Sequence, residues 1–225
     1  MIKSMTIHLP NGDNLKWDFD FSQQGTMRLT NTFVTDIPDW IRLSYYQCPA
    51  CTLAEGGDAT CPVADVLAGY AHALADRRSY ERVRVDVYQD DGPCMTLQSV
   101  PLQTVVSELV RLAVFQYECP VGRKVKTAMT NLPPFPSNEE ILYAFARSFD
   151  AAPYEDDEPT EGQLRFFESL HELFGHLSAR LENVGQGDAQ LNGIVILHSL
   201  AVLFTLSAPE LIRSLSISAD PSPVA

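Results

Sequence analysis

Positive charge is scarce in this sequence: 16 lysines and arginines face 29 aspartates and glutamates, for a net charge of −13 over 225 residues. A chain so charged repels nucleic acid and anionic membrane, because both are polyanions. Arg123, Lys124 and Lys126 form a basic group too small to reverse the balance, so the acidity reads as a source of solubility. Long apolar runs are also missing. The N-terminal MIKSMTIHLPNGDNLKWDF holds no stretch of the kind that directs export. The most apolar run, Ile194 to Leu206, has 13 residues and is interrupted by His198, which is short for a bilayer. The expectation is a cytoplasmic protein with neither nucleic acid nor membrane as partner. No P-loop, GxGxxG, GxSxG or EF-hand pattern occurs, and the acidic stretch lacks the alternating ligand spacing of a calcium loop.

What remains is an ordinary globular composition, 45% apolar and 20% charged, in a chain long enough for a real core. Thr6 to Leu9, the turn Pro10-Asn11-Gly12-Asp13, and the alternation of Leu15, Trp17, Phe19 and Phe21 with Lys16, Asp18 and Asp20 predict a β-hairpin. A third strand is expected over Met27 to Phe33, and a strand or short helix over Ile41 to Gln47. Val63 to Ala75 has helical spacing. Val83, Val85 and Val87 alternate with charged residues, then Asp90-Asp91-Gly92-Pro93 turns the chain into a return strand near Cys94 to Gln98.

From Leu102 the period becomes helical, up to Cys119-Pro120. Ser137-Asn138-Glu139-Glu140 starts another helix with a polar cap and acids in its first turn. Asp150 to Glu161 carries six acidic and no basic residues and reads as a linker. Helices are then expected over Gln163 to Val184 and Ala189 to Leu206, paired antiparallel across Gly185-Gln186-Gly187-Asp188. The second is apolar nearly all round, as befits a core helix or half of a homodimer interface. Ser218 to Ala225 is a Pro- and Ser-rich tail. Strands dominate the first half and helices the second, so the fold class is α+β. It divides into a 1–150 module, a 151–161 linker, a 162–217 helical hairpin packed on the module, and the tail.

The chemistry lies in the cysteines. There are five, an odd number, in a chain expected in a reducing compartment, so disulfides are a poor reading. Cys48-Pro49-Ala50-Cys51 places two thiolates two residues apart, a spacing that lets one turn present both sulfurs to one ion. Cys61-Pro62 and Cys119-Pro120 supply two more. Zinc takes four such ligands tetrahedrally at about 2.3 Å, and a closed four-cysteine shell leaves no position for catalysis. The same Cys-Pro habit occurs at iron–sulfur sites, so an iron–sulfur cluster in a redox or gas sensor is the alternative. The expected site is Cys48, Cys51, Cys61 and Cys119 at the junction of hairpins and helices. Cys94, in a strand and without a nearby cysteine, is set apart as a small buried hydrophobe. Cys48 and Cys51 also resemble the redox motif of the thioredoxin and glutaredoxin superfamily, which would make Cys48 the nucleophile and Cys51 the resolving thiol. Against that, Gly56-Gly57 breaks the helix such a motif opens, and Cys61 and Cys119 are left without a role.

The segments YYQCPACTLAEGGDATCPVADVLAGY, ECPVGRKVKTAMTNLPPF and GDAQLNGIVILHSLAVLFTLS resemble an uncharacterised bacterial family with a CPxC…CP…CP pattern. The resemblance covers most of the chain and implies that Cys48, Cys51, Cys61 and Cys119 are the family's cysteines. It implies no activity and leaves the function open. Because a closed four-cysteine shell leaves no position for catalysis, the protein is expected to be non-enzymatic, with an unknown protein partner or a sensing role.

His171-Glu172-Leu173-Phe174-Gly175-His176 invites a metalloprotease reading, but zincins space their histidines i and i+4. Here the spacing is i and i+5, which sets the rings about 140° apart around a helix, on opposite flanks of the stripe Phe166, Leu170, Leu173, Leu177 and Leu181. His198 is expected as a core histidine hydrogen-bonded to a neighbour. His8 and His72 have no recognisable partner. Trp17, Trp40, Phe115 and Tyr117 are expected to be packing residues.

Overall fold

A computed structural model describes residues 2–23, 26–29, 38–54, 56, 59–89, 92–116, 119–148, 161–182 and 184–218. The alternating segments form strands: β1 (Ile2–His8), β2 (Asn14–Gln23), β3 (Thr26–Leu29), β4 (Arg82–Gln89) and β5 (Gly92–Pro101). They make one antiparallel sheet in the order β3-β2-β1-β4-β5. The period of two works as expected, since Trp17 and Phe19 of β2 and Val83, Val85 and Val87 of β4 are buried. β3 is shorter than the strand expected over Met27 to Phe33; residues 30–37 lie outside the described set.

Among the described residues there are six helices, five of them where helical spacing was expected and α3 not: α1 (Pro62–Ala73), α2 (Leu102–Gln116), α3 (Lys126–Thr130), α4 (Asn138–Arg147), α5 (Glu161–Leu181) and α6 (Ala189–Ser218). The start of α4 is a reciprocal cap. Ser137 N–H donates to Glu140 Oε2 at 2.7 Å, and Glu140 N–H donates to Ser137 Oγ at 3.2 Å. α2 is the central helix, and Val105, Val106, Val110, Ala113, Val114 and Phe115 on it are fully buried. One hydrophobic core runs from Ile2 of β1 through α2 to Phe204 of α6. The observed class is α+β. The acidic segment, apart from Glu161, and the tail beyond Ser218 fall outside the described residues, as does Tyr117.

α5 and α6 run antiparallel, as the pairs Phe167–Phe204 and His171–His198 show. Their connection is seated on the end of α1. Gly187 N–H donates to Ala75 O at 2.7 Å, and Asp188 accepts from the Ser79 N–H at 2.7 Å and from its hydroxyl at 3.1 Å. Gly185 has φ +145, and a Cβ there would stand 2.3 Å from Ala75 O, so this approach requires glycine. α6 is longer than expected and buries only part of its girth. Ile194, Leu197, Leu200, Ala201 and Phe204 are core, while Val195 (47%), Leu203 (53%) and Leu206 (76%) are exposed. By length and composition alone, Ala189–Leu206 is an 18-residue stretch long and apolar enough to cross a membrane, and 44% of it is buried within the protein.

Of the two forms expected over Ile41 to Gln47, strand or short helix, the structure takes the helical one, as two 3-10 turns, Asp39–Ile41 and Leu43–Tyr45. A short pairing with residues 59–61 holds one side of it, through Leu43 N–H to Ala59 O at 2.9 Å and Cys61 N–H to Ile41 O at 2.8 Å. Several of its carbonyls turn toward α5, where a side chain takes them.

Candidate metal centre

The two turns deliver the chain to Cys48. Cys51 N–H donates to Cys48 O at 2.9 Å, closing the turn that the Cys-Pro-Ala-Cys spacing demands. Gln47 Nε2 braces the loop beyond by donating to Leu53 O at 2.8 Å. The motif opens no helix; the next one, α1, begins only at Pro62, directly after Cys61. The Val63 and Ala64 N–H groups at that helix start bond toward the Cys61 sulfur. Cys119 follows α2 and repeats the arrangement, with Gly122 N–H donating to its Sγ at 3.5 Å and Val121 N–H joining it. Gly122 is forced by space, because a Cβ would stand 2.0 Å from Val114 O. This glycine lets the Cys119 turn lie against the last turns of α2. Backbone N–H groups aimed at sulfur favour the thiolate form and the electron-rich state of a metal-bound cysteine.

The four cysteines share one neighbourhood. All are free, with Cys119 buried and the other three half-buried. Burial, then repulsion from Cys61, Cys119 and Cys51 in that order, pushes the Cys48 thiol up to about 12. Burial pushes Cys119 up to about 11 against the pull of the Gly122 and Val121 N–H groups, with Cys61 and Cys51 adding to the rise. Burial raises Cys61 as well. Each thiol named here thus feels others of the set. Among the described residues, however, no group of three or more His, Cys, Asp or Glu side chains is placed so that it could hold a metal ion. The four cysteines sit where the 38–61 segment meets the helices, and Cys61 packs with Ile41, Ala64 and Ala68. The side chain of Cys94, in β5, is outside the described set.

Sequence reasoning missed Arg180. This residue of α5 is 2% exposed. Its Nη1 donates to Trp40 O and to Arg42 O at 2.8 Å; its Nη2 donates to Tyr46 O and to Leu43 O at 3.4 Å. All four partners are main-chain carbonyls of the segment entering Cys48, and none is a carboxylate. The guanidinium draws the thiols of Cys48 and Cys61 down, against the burial that lifts them. The clue was its place at i+7 from Leu173, on the apolar stripe of α5, where a charge needs a buried partner.

The histidine motif does not converge. His171 is exposed and stacks on His198 with ring centroids 4.4 Å apart. His176 turns the other way and meets Tyr46 edge-on at 6.0 Å, with its Nδ1 buried and without a hydrogen-bond partner among the described residues. His198 is half-buried and packs on another imidazole, where a hydrogen-bonded core position was expected; burial, then His171, lowers its pKa. His8, for which no partner was recognised, bonds Asn14 Oδ1 and Asp86 Oδ2, both at 2.7 Å. The side chain of His72 is outside the described set. Trp17 and Phe115 are core, and Trp40 is partly buried against it.

A family profile described as a domain of unknown function, DUF6901, matches residues 5–218. The chain belongs to the DUF6901 family. The matched span contains all four cysteines and Arg180, so the whole candidate centre lies within the DUF6901 domain. No curated protein and no solved structure matches the chain.

Proposed function

We propose that Cys48, Cys51, Cys61 and Cys119 hold a structural zinc ion that fastens the 38–61 segment to the ends of α1 and α2. The observation that carries this reading is the buried Arg180 guanidinium, bonded only to carbonyls and acting on Cys48 and Cys61. A cation taken out of water without a counter-charge is costly. Four cysteinates on one divalent ion carry a net charge of about −2, and Arg180 offsets half of it. The N–H groups aimed at Cys61 and Cys119 support thiolate ligation at two of the four corners. Zinc would contribute folding free energy and no reaction, because four thiolates complete its shell. On this reading the protein is cytoplasmic and non-enzymatic, and it works through an unknown protein partner or as a sensor.

Metal analysis and an absorption spectrum of protein purified without oxygen test the proposal. One zinc per chain without colour is the expected result. Iron with sulfide and a broad visible absorption would replace it with an iron–sulfur redox or gas sensor built on the same thiolates. Metal-free protein with freely reactive thiols would return the argument to a thiol oxidoreductase using Cys48 and Cys51.

A further inference from the structure

α2 is buried on every side, yet it carries a polar stripe. Thr104, Ser107, Glu108 and Arg111 recur at helical spacing along one face, and the last three are 8%, 3% and 1% exposed. The stripe is not packed along its whole length. It forms the floor of a cavity of about 300 Å³ roofed by Phe135 and Pro136 and walled by Ile141 of α4 and Ile196 of α6. The exposed Asn138 stands at its rim.

The floor is unevenly used. Glu108 and Arg111 form a two-pronged ion pair: Arg111 Nε donates to Oε2 and Nη2 to Oε1, both at 2.7 Å. Glu108 Oε1 also accepts the Phe135 N–H at 3.3 Å, so both carboxylate oxygens are engaged. Arg111 is not used up. Its third bond is a long one, from Nη1 to Met129 O at 3.4 Å, and a guanidinium carries more N–H groups than three bonds consume. Phe135 holds φ at +53, in the left-handed region that a bulky side chain avoids. In that conformation its N–H donates to Glu108, and the residue lines the cavity. A buried ion pair of this kind stabilises no better than apolar residues of the same volume. A purely structural helix face would therefore be apolar here.

We propose that this cavity binds a small uncharged molecule with a carbonyl oxygen and an apolar body. The carbonyl accepts the spare Arg111 donors, and Thr104 and Ser107 offer further hydroxyl contacts. Phe135, Ile141 and Ile196 enclose the apolar part. The ligand is uncharged because Glu108 already neutralises Arg111, so a second carboxylate would bury a net negative charge. This inference is independent of the cysteines, and its test uses no metal.

Benzamide and benzoate are titrated into the full-length protein, isotope-labelled for NMR, following the Phe135 amide and the Arg111 Nε–H. Benzamide is expected to shift both saturably, and benzoate to bind at least about tenfold more weakly. Thr104→Leu, which takes up cavity volume at the floor, should weaken benzamide by about tenfold or more with an unchanged melting temperature. Asn138→Trp at the exposed rim is the second blocking variant, with the same expectation, should the first fail to fold. No saturable shift with benzamide, equal or tighter binding of benzoate, or undiminished binding in the blocking variants would each overturn the proposal.

Discussion

Replacing Arg180 by methionine keeps much of the volume and removes the charge and four hydrogen bonds. Each carbonyl left without its donor costs about 1–3 kcal/mol when water cannot reach it. Three of these four bonds are only partly buried, so water recovers part of the loss. The expected penalty is about 3–5 kcal/mol. For a chain of this size that lowers the melting temperature by roughly 6–20 °C. The informative part is the dependence on metal. If Arg180 is the counter-charge to a cysteinate cluster, its removal costs more in zinc-loaded protein than in chelator-treated protein. The pair Arg180→Met and Cys119→Ser should then couple by about 0.5–3 kcal/mol in a double-mutant cycle. Urea unfolding of the four proteins, each with zinc and with chelator, measures this. A penalty equal in both conditions, with additive single mutants, would show that Arg180 merely holds the turns and that the charge argument for the site is wrong.

Other outcomes follow from the same geometry. Cys119→Ser and Cys48→Ser should lower thermal stability by similar amounts and each abolish zinc retention; unchanged melting of Cys119→Ser would remove it from the ligand set. Gly122→Ala must push its Cβ against Val114 O, 2.0 Å away, and should cost about 2–4 kcal/mol and reduce zinc per chain; a wild-type denaturation midpoint would show that the Cys119 turn yields. The Asp188 pKa is held below the ordinary carboxylate value by the Ser79 N–H, against the opposing effect of burial and with help from the Ser79 hydroxyl. Its contribution is therefore fully present above the unfolded carboxylate pKa and is lost as pH falls through the depressed one. Asp188→Asn should cost about 1 kcal/mol at neutral pH and flatten the acid limb of the stability curve; parallel curves for the two proteins would place the acid sensitivity elsewhere.

The elements with a local cause were legible in the sequence. β2 follows from alternating Trp17 and Phe19, and α4 from the Ser137–Glu140 cap, because the partners lie a few residues apart. Cys48, Cys61 and Cys119 stood out by their Cys-Pro steps and Cys51 by its two-residue spacing from Cys48; in the structure Cys48 feels the charge of the other three, but no group of three or more is placed so that it could hold a metal ion. The choice between strand and short helix over Ile41 to Gln47 was not legible, because its hydrogen-bond partner is Arg180, up to 140 residues away. No local propensity encodes such a pairing. The polar floor of α2 was hidden for a similar reason. Val105, Val106, Leu109 and Leu112 announce a buried face, and only the tertiary structure reveals that Ser107, Glu108 and Arg111 on the other face are buried too. His8 escaped notice because Asp86 meets it across the β1–β4 pairing, 78 residues away.

The four-carbonyl grip of Arg180 also sets an order of events during synthesis. The chain is made from its N-terminus, so Cys48, Cys51 and Cys61 emerge long before α5. Until residue 180 arrives, the turns ahead of Cys48 lack the donor that fixes them, and Cys119 is still to come for much of that time. If the four cysteines hold zinc as proposed, a nascent chain could capture an ion loosely on the first three thiols, and the centre would acquire its final shape only when the C-terminal hairpin docks. Completion of the site would then report that the whole domain has folded, and a truncated product lacking α5 would carry an ill-held ion that exchanges readily.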